Sequence, residues 1–156
     1  MNPTWALGPG GDPAAGGDST AVQGEQPSVK DIQATTRAFA VIRADGSAVS
    51  WGNPNYGGDS TAVKEKLRKV QHIQASHSAF AAILADGSVV TWGHRHSGGD
   101  SSAVQDELEN VQQIQASYNA FAAILADGFV VTWGDPDYGG DSTAVKSKLR
   151  NVQHIQ

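Results

Sequence analysis

Trp51, Trp92 and Trp133 are evenly spaced, and the whole chain repeats with them. Residues 51–91 and 92–132 are identical at 27 of 41 positions with no gap. Gly57-Gly58-Asp59, Gly98-Gly99-Asp100 and Gly139-Gly140-Asp141 keep the same step, and Gly16-Gly17-Asp18 extends it backwards. A fixed period of this size marks a solenoid, a propeller or an array. Each unit is too small to enclose a core, so neighbours must supply one another's hydrophobic contacts. The chain reads as one repeat domain over 1–156. It comprises an N-terminal extension (1–9), a degenerate repeat (10–50), two full repeats (51–91 and 92–132) and a partial repeat (133–156). In the degenerate unit Gly10 stands where tryptophan is expected and Ala15 where tyrosine is, and Gly24 and Pro27 interrupt its helical segment.

Within a unit the pattern is that of a three-stranded antiparallel meander followed by a short helix. Val111 to Ala116 alternate, with Gln112, Ile114 and Ala116 on one face, as a strand requires. Ala120 to Ala126 form a continuous apolar run bounded by turn residues, which fits a strand buried on both faces; the four alanines leave helix as the competing reading. Asp127-Gly128 supplies the positive-φ residues of a tight hairpin, and Val130-Val131-Thr132-Trp133 is β-branched and aromatic, the third strand. After the loop 135–140, Asp141 or Ser142 would cap a helix whose Val145, Leu149 and Val152 make one apolar stripe. The expected fold is a mainly β repeat protein, either a propeller segment or an open stacked array.

Val70-Gln71-His72-Ile73-Gln74-Ala75-Ser76 and Ala79 through Ala85-Asp86-Gly87 to Trp92-Gly93 resemble the repeat of the RCC1 (regulator of chromosome condensation) family. The resemblance lies in the order strand, strand, Asp-Gly turn and a strand closing on Trp-Gly, and covers roughly half of each unit. It implies blades of a β-propeller. The functions it implies are small-GTPase nucleotide exchange, chromatin-bound regulation, or an interaction module. Repeats in that family are longer than the present unit, and Tyr-Gly-Gly-Asp-Ser here replaces the usual Gly-Gln-Leu-Gly type of turn. The glycine usual at the end of the first strand is Thr35, Ser76 or Ser117. Strand order and an interaction role are what carry over.

A three-stranded meander places two loops at one end: that between strands one and two, and that after Trp-Gly. Both differ from unit to unit, whereas the Asp-Gly turns at the other end, Asp45-Gly46, Asp86-Gly87 and Asp127-Gly128, are identical. Loops on a rigid scaffold are where binding usually resides. The expected partner-binding residues are therefore Thr36, Arg37, Asn53, Asn55 and Tyr56; His77, Ser78, His94, Arg95 and His96; and Tyr118, Asn119, Asp135, Asp137 and Tyr138. Unrestrained drift of the same loops is the bland alternative.

No catalytic motif and no cofactor motif stands out. His94 and His96 with His77 invite a zinc reading, and Asp135, Asp137 and Asp141 a calcium one, but neither spacing matches a known ligand set. Lys66, Glu107 and Lys148, with Arg68, Glu109 and Arg150, lie one period apart and suggest charge ladders between neighbouring helices. The net charge of −5 with 11 Lys+Arg argues against nucleic acid as the main partner. No apolar run is long enough for a membrane helix, and no signal peptide is evident, so cytoplasm is the default location. The expectation is a non-enzymatic scaffold or accessory subunit that binds a protein or larger assembly, with possible self-association. The alternatives are a guanine-nucleotide exchange regulator and a small-ligand, glycan or ion-binding module.

Overall fold

A computed structural model describes residues 28–156; the extension 1–9 and residues 10–27 of the degenerate repeat lie outside the described residues. Among the described residues, nine strands form three separate three-stranded antiparallel sheets. The first holds β1 (Val29–Ala34), β2 (Ala38–Arg43) and β3 (Ala48–Gly52). The second holds β4 (Val70–Ala75), β5 (Ala79–Leu84) and β6 (Val89–Gly93), and the third β7 (Val111–Ala116), β8 (Ala120–Leu125) and β9 (Val130–Gly134). The registers are equivalent in all three sheets: Phe39 faces Trp51, Phe80 faces Trp92 and Phe121 faces Trp133.

The unbroken apolar run of the central strand follows from its place between two hydrophobic layers. Ala38, Ala40, Ile42 and Ala48 of the first sheet pack against Val70, Ile73, Phe80, Val90 and Trp92 of the second. Ala79, Ala81, Ile83 and Val89 repeat that contact against Val111, Ile114, Phe121, Val131 and Trp133. Each sheet thus has a bulky leading face toward its predecessor and an alanine-rich trailing face toward its successor. The large rings of one unit fill the space left by the small side chains of the last, at the dense packing interiors require. The indole N–H completes the contact: Trp92 donates to the Gly57 carbonyl at 3.1 Å and to Ser50 Oγ at 3.2 Å, and Trp133 donates to the Gly98 carbonyl at 3.0 Å.

Three local expectations are corrected. First, simple alternation in the opening strand fails because a β-bulge sits between Val111 and Gln113, and likewise between Val70 and His72. The extra residue brings Val111 and Ile114 to the same buried face, as a bulge does. Second, the amphipathic helix over 141–152 is a set of 3₁₀ turns, Thr143–Lys148 here and Thr61–Val63 and Gln105–Glu107 in the earlier units. A helix this short has little stability of its own. The chain must also reverse at once into the next strand, which it does through left-handed Lys69, Asn110 and Asn151. Leu67 and Leu108 still reach the core, whereas Val145 is exposed.

Third, only the glycine of each Asp-Gly turn takes positive φ (82–84°). The aspartate acts as an acceptor instead: Asp86 Oδ1 takes the Ser88 amide at 2.9 Å and the Ser88 hydroxyl at 2.6 Å. Capping of the 3₁₀ segments follows the same rule. Asp59, Asp100 and Asp141 accept from the amides two residues on, while Ser60, Ser101 and Ser142 tie the segment back to the third strand. Among the described residues, the charge ladder is realised by the contact of Lys146 with Glu107 at 3.7 Å rather than by Lys148.

The lower turns join successive units. The Val70 and Val111 amides donate across the joints to the carbonyls of Gly46 and Gly87 at 2.8 and 2.9 Å, while within each unit the Ala85 and Ala126 amides donate to those of Lys69 and Asn110 at 2.8 Å. Their constancy between units therefore has a structural use.

Two tests follow from this packing. Gly98 has φ of 93°, and a Cβ added there would lie 2.4 Å from the Phe121 ring; at Gly139, φ is 96° and a Cβ would meet nothing within 4 Å. Gly139→Ala should cost about 1–2 kcal/mol for the backbone alone, and Gly98→Ala a further ~1–3 kcal/mol for overpacking, read by urea unfolding. The second test concerns acid. The carboxyls of Asp45, Asp59, Asp86 and Asp100 are held below their ordinary value by the hydroxyl and then the amide two residues on; at Asp141 the Thr143 amide leads. A depressed folded-state value means stability that is fully present above the unfolded value and lost as pH falls. The melting temperature should hold between pH 7 and 5 and drop below about pH 4. Asp86→Ala should shrink that drop.

Candidate functional site

The first-to-second-strand loop and the loop after Trp-Gly meet at the upper end of every sheet, and hydrogen bonds lock them together. The Asn53, His94 and Asp135 amides donate to the carbonyls of Arg37, Ser78 and Asn119 at 2.8–2.9 Å. A second bond fixes the same pair of loops. The hydroxyls of Thr35, Ser76 and Ser117 donate to the carbonyls of Tyr56, Ser97 and Tyr138 at 2.8, 2.7 and 2.6 Å. Sequence reasoning registers these three only as replacements for a glycine; the signal for their role is the hydroxyl present in every copy.

Neighbouring units are also bonded at this end. The Thr36 amide donates to the His77 carbonyl at 3.1 Å, and the His77 amide to the Tyr118 carbonyl at 2.8 Å. These bonds set the spacing of a row of rings. The Arg37 guanidinium lies 5.4 Å from the Tyr56 ring centre, and Tyr56 lies 5.7 Å from His77. His77 stacks on Tyr118 at 4.2 Å, and Tyr118 on Tyr138 at 5.6 Å. Tyr118 and Tyr138 are 54% and 45% exposed, so the row is an accessible ridge across all three units.

The expected residues take different roles. Arg37, Tyr56, His77, Tyr118 and Tyr138 form the ridge, with Thr36 supplying backbone. Asn53 and Asp135 shape their loops, each accepting through Oδ1 the amide two residues on, of Asn55 and Asp137. His94, Arg95 and His96 form a separate exposed basic patch, where the two imidazoles are 5.8 Å apart and Arg95 approaches Asp100 at 3.6 Å. Ser78 is only 5% exposed and holds His77 Nδ1 at 2.7 Å; it positions a ring and is not surface. Asn119 accepts the Ser97 hydroxyl at 2.8 Å.

Three flat rings and an imidazole offer apolar area with polar tips, and Arg37 and Arg95 add positive charge on a chain that is acidic overall. Asp135 and Asp141 are already engaged as turn acceptors. Among the described residues no group of three His, Cys, Asp or Glu side chains is arranged to hold a metal ion.

No protein-family model matches the chain, and no curated protein matches it. Solved structures do. The ectodomain of the Physcomitrella patens receptor kinase CR4 is similar at 19% identity and a TM-score of 0.52, over 68% of this chain and 29% of its own. The likeness is one of fold, three-stranded antiparallel sheets repeated in series. Human WBSCR16 is similar at 18% identity and a TM-score of 0.49, over 73% of this chain and 35% of its own. Prp20p from Saccharomyces cerevisiae is similar at 16% identity and 0.49, over 68% and 30%. The chain thus spans about a third of the length of these proteins.

The closest ring contact in the ridge is testable. A double-mutant cycle with His77→Ala and Tyr118→Ala should give a coupling of about 0.5–1.5 kcal/mol in chemical denaturation, with each single variant still folded.

Proposed function

We propose that the chain is a non-enzymatic scaffold that binds a protein partner through the upper loop face. One observation carries this reading: the two upper loops differ in side chains from unit to unit while equivalent hydrogen bonds fix their backbones, whereas the Asp-Gly turns at the lower end are constant and serve the joints between sheets. A rigid platform that presents variable aromatic and basic side chains loses little conformational freedom when it binds. Tyrosine and arginine are the residues that dominate protein interfaces. An acidic chain with a confined basic patch suits a protein surface better than a phosphate backbone. Guanine-nucleotide exchange is implied by the family resemblance alone, and no residue of this chain supports it.

The test compares the wild type with a ridge variant (Arg37→Ala, Tyr118→Ala) and a variant with His94-Arg95-His96 replaced by Asn-Pro-Asn. All three should show the same circular dichroism. Partners captured by the wild type should be lost by the ridge or loop variant and retained by a lower-turn control, Ser88→Ala. Equal capture by all four proteins would overturn the assignment of this face. Accelerated nucleotide release from a small GTPase by the wild type would replace it with the exchange reading.

A further inference from the structure

The Asp-Gly turns at the lower end share one backbone and differ in one side chain. Gly46, Gly87 and Gly128 have φ of 84°, 82° and 84°, and their amides donate to the carbonyls of Arg43, Leu84 and Leu125, each at 2.9 Å. The residue after the glycine is Ser47, then Ser88, then Phe129. In the first two turns one carboxylate oxygen is held twice. Asp45 Oδ1 accepts the Ser47 amide and hydroxyl, and Asp86 Oδ1 accepts the Ser88 amide at 2.9 Å and its hydroxyl at 2.6 Å. In the third turn, among the described residues, Asp127 Oδ1 accepts the Phe129 amide alone, at 3.1 Å. Asp127 and Phe129 are both exposed.

An aspartate followed by glycine is open to attack on its side-chain carboxyl by the next backbone nitrogen, because no Cβ shields that nitrogen. The reaction asks two things of the carboxyl. It must be protonated, so that water can leave, and it must be free to turn Cγ toward the nitrogen. The serine hydroxyls oppose both. They and then the serine amides hold the carboxyls of Asp45 and Asp86 below their ordinary value, which favours the ionised form. They also fix the direction of the side chain.

We propose that Asp127 is a site of spontaneous modification, isomerising to isoaspartate, and that Ser47 and Ser88 protect the equivalent turns of the other units. The Gly128 nitrogen bonds to Asp127 Cγ, and the carboxyl hydroxyl leaves with the amide proton as water, giving a cyclic imide. Water then adds back at one of the two imide carbonyls. Opening at the Cγ side restores aspartate. Opening at the main-chain side leaves Gly128 attached through the Asp127 side chain, with one methylene more in the backbone. Nothing is oxidised or reduced, and water is the only co-reactant.

The place of the turn gives this change a consequence. The Gly128 carbonyl accepts the Val152 amide at 3.0 Å. Gly128 also lies against Asn151, whose Cα would be 2.9 Å from a Cβ added to that glycine. An added methylene displaces both contacts and loosens residues 152–156. Their other polar tie to the third sheet, among the described residues, is the Gln113 side-chain amide on the Ile155 carbonyl at 3.2 Å.

The test ages the folded wild type at neutral pH and digests it with trypsin, which separates the three turns into peptides 44–64, 70–95 and 96–146. Mass-spectrometric fragmentation should find isoaspartate forming at Asp127 about tenfold faster than at Asp45 or Asp86, the factor that one charge-assisted hydrogen bond supplies. The chain aged in urea should lose that difference. Phe129→Ser should slow Asp127 to the rate of the other turns, and Ser88→Ala should speed Asp86 about tenfold, both with unchanged circular dichroism. Amide exchange at Val152 should be faster in the isomerised protein. Equal rates at the three turns of the folded chain would overturn the proposal, as would a difference that survives in urea. So would a rate at Asp127 that Phe129→Ser leaves unaltered, or a Val152 amide equally protected in both forms.

Discussion

The structure depends on the contact by which one sheet seats its Phe–Trp pair on the alanine face of the sheet before it. The indole at the centre of that contact is buried twice over. Its ring stacks on the phenylalanine of its own sheet at 5.2–5.3 Å, and its N–H reaches the carbonyl of the preceding unit's Gly57 or Gly98. The glycine is required because a side chain there would strike the phenylalanine ring. Ring, alanine and glycine are thus one device, and the period of the repeat is the distance along the chain between successive copies of it. An unmade indole bond would leave a buried carbonyl without a donor, at a cost of about 1–3 kcal/mol, so the contact sets orientation as well as energy.

That device also separates the two ends of each sheet. At the lower end the turn carbonyls of Gly46 and Gly87 are bonded to the next unit's first strand, and any change of backbone there is felt by the neighbour. At the upper end the bonds are again made by backbone, with one hydroxyl from Thr35, Ser76 or Ser117. Side chains at 36–37, 77, 94–96, 118 and 136–138 contribute little to holding the loops. The chemistry of the upper surface can therefore differ from unit to unit while its shape stays the same.

Much of this was legible in the sequence because it is carried by spacing and polarity. The even step from Trp51 to Trp92 to Trp133 defines the unit. The run Ala120–Leu125 marks a strand buried on both sides, and the meander places the loops of His77 and His94 at one end. What escaped was geometry that polarity does not encode. The bulge at Gln113 leaves no mark beyond an unexpected valine at Val111. The apolar stripe Val145, Leu149, Val152 fits a helix and equally a pair of tight turns that drop one leucine into the core. Asp86 and Asp141 read as turn and cap residues, but whether they act through φ or through the carboxylate is invisible in a letter.

The ridge shows why the site was only half legible. Arg37, Tyr56, His77, Tyr118 and Tyr138 come from two different loops of the unit, so no linear motif connects them. They become one surface because each sheet is set against the last by the same ring-on-alanine contact, which lays equivalent loops side by side at the spacing of stacked rings. Residue types alone would assign His77 to a metal or to solvent. Its neighbours assign it otherwise: held at Nδ1 by Ser78 and stacked on Tyr118, it bridges the tyrosines of adjacent units. The ridge is thus a consequence of the core, and any change that tilts one sheet against the next breaks the row before it unfolds the chain.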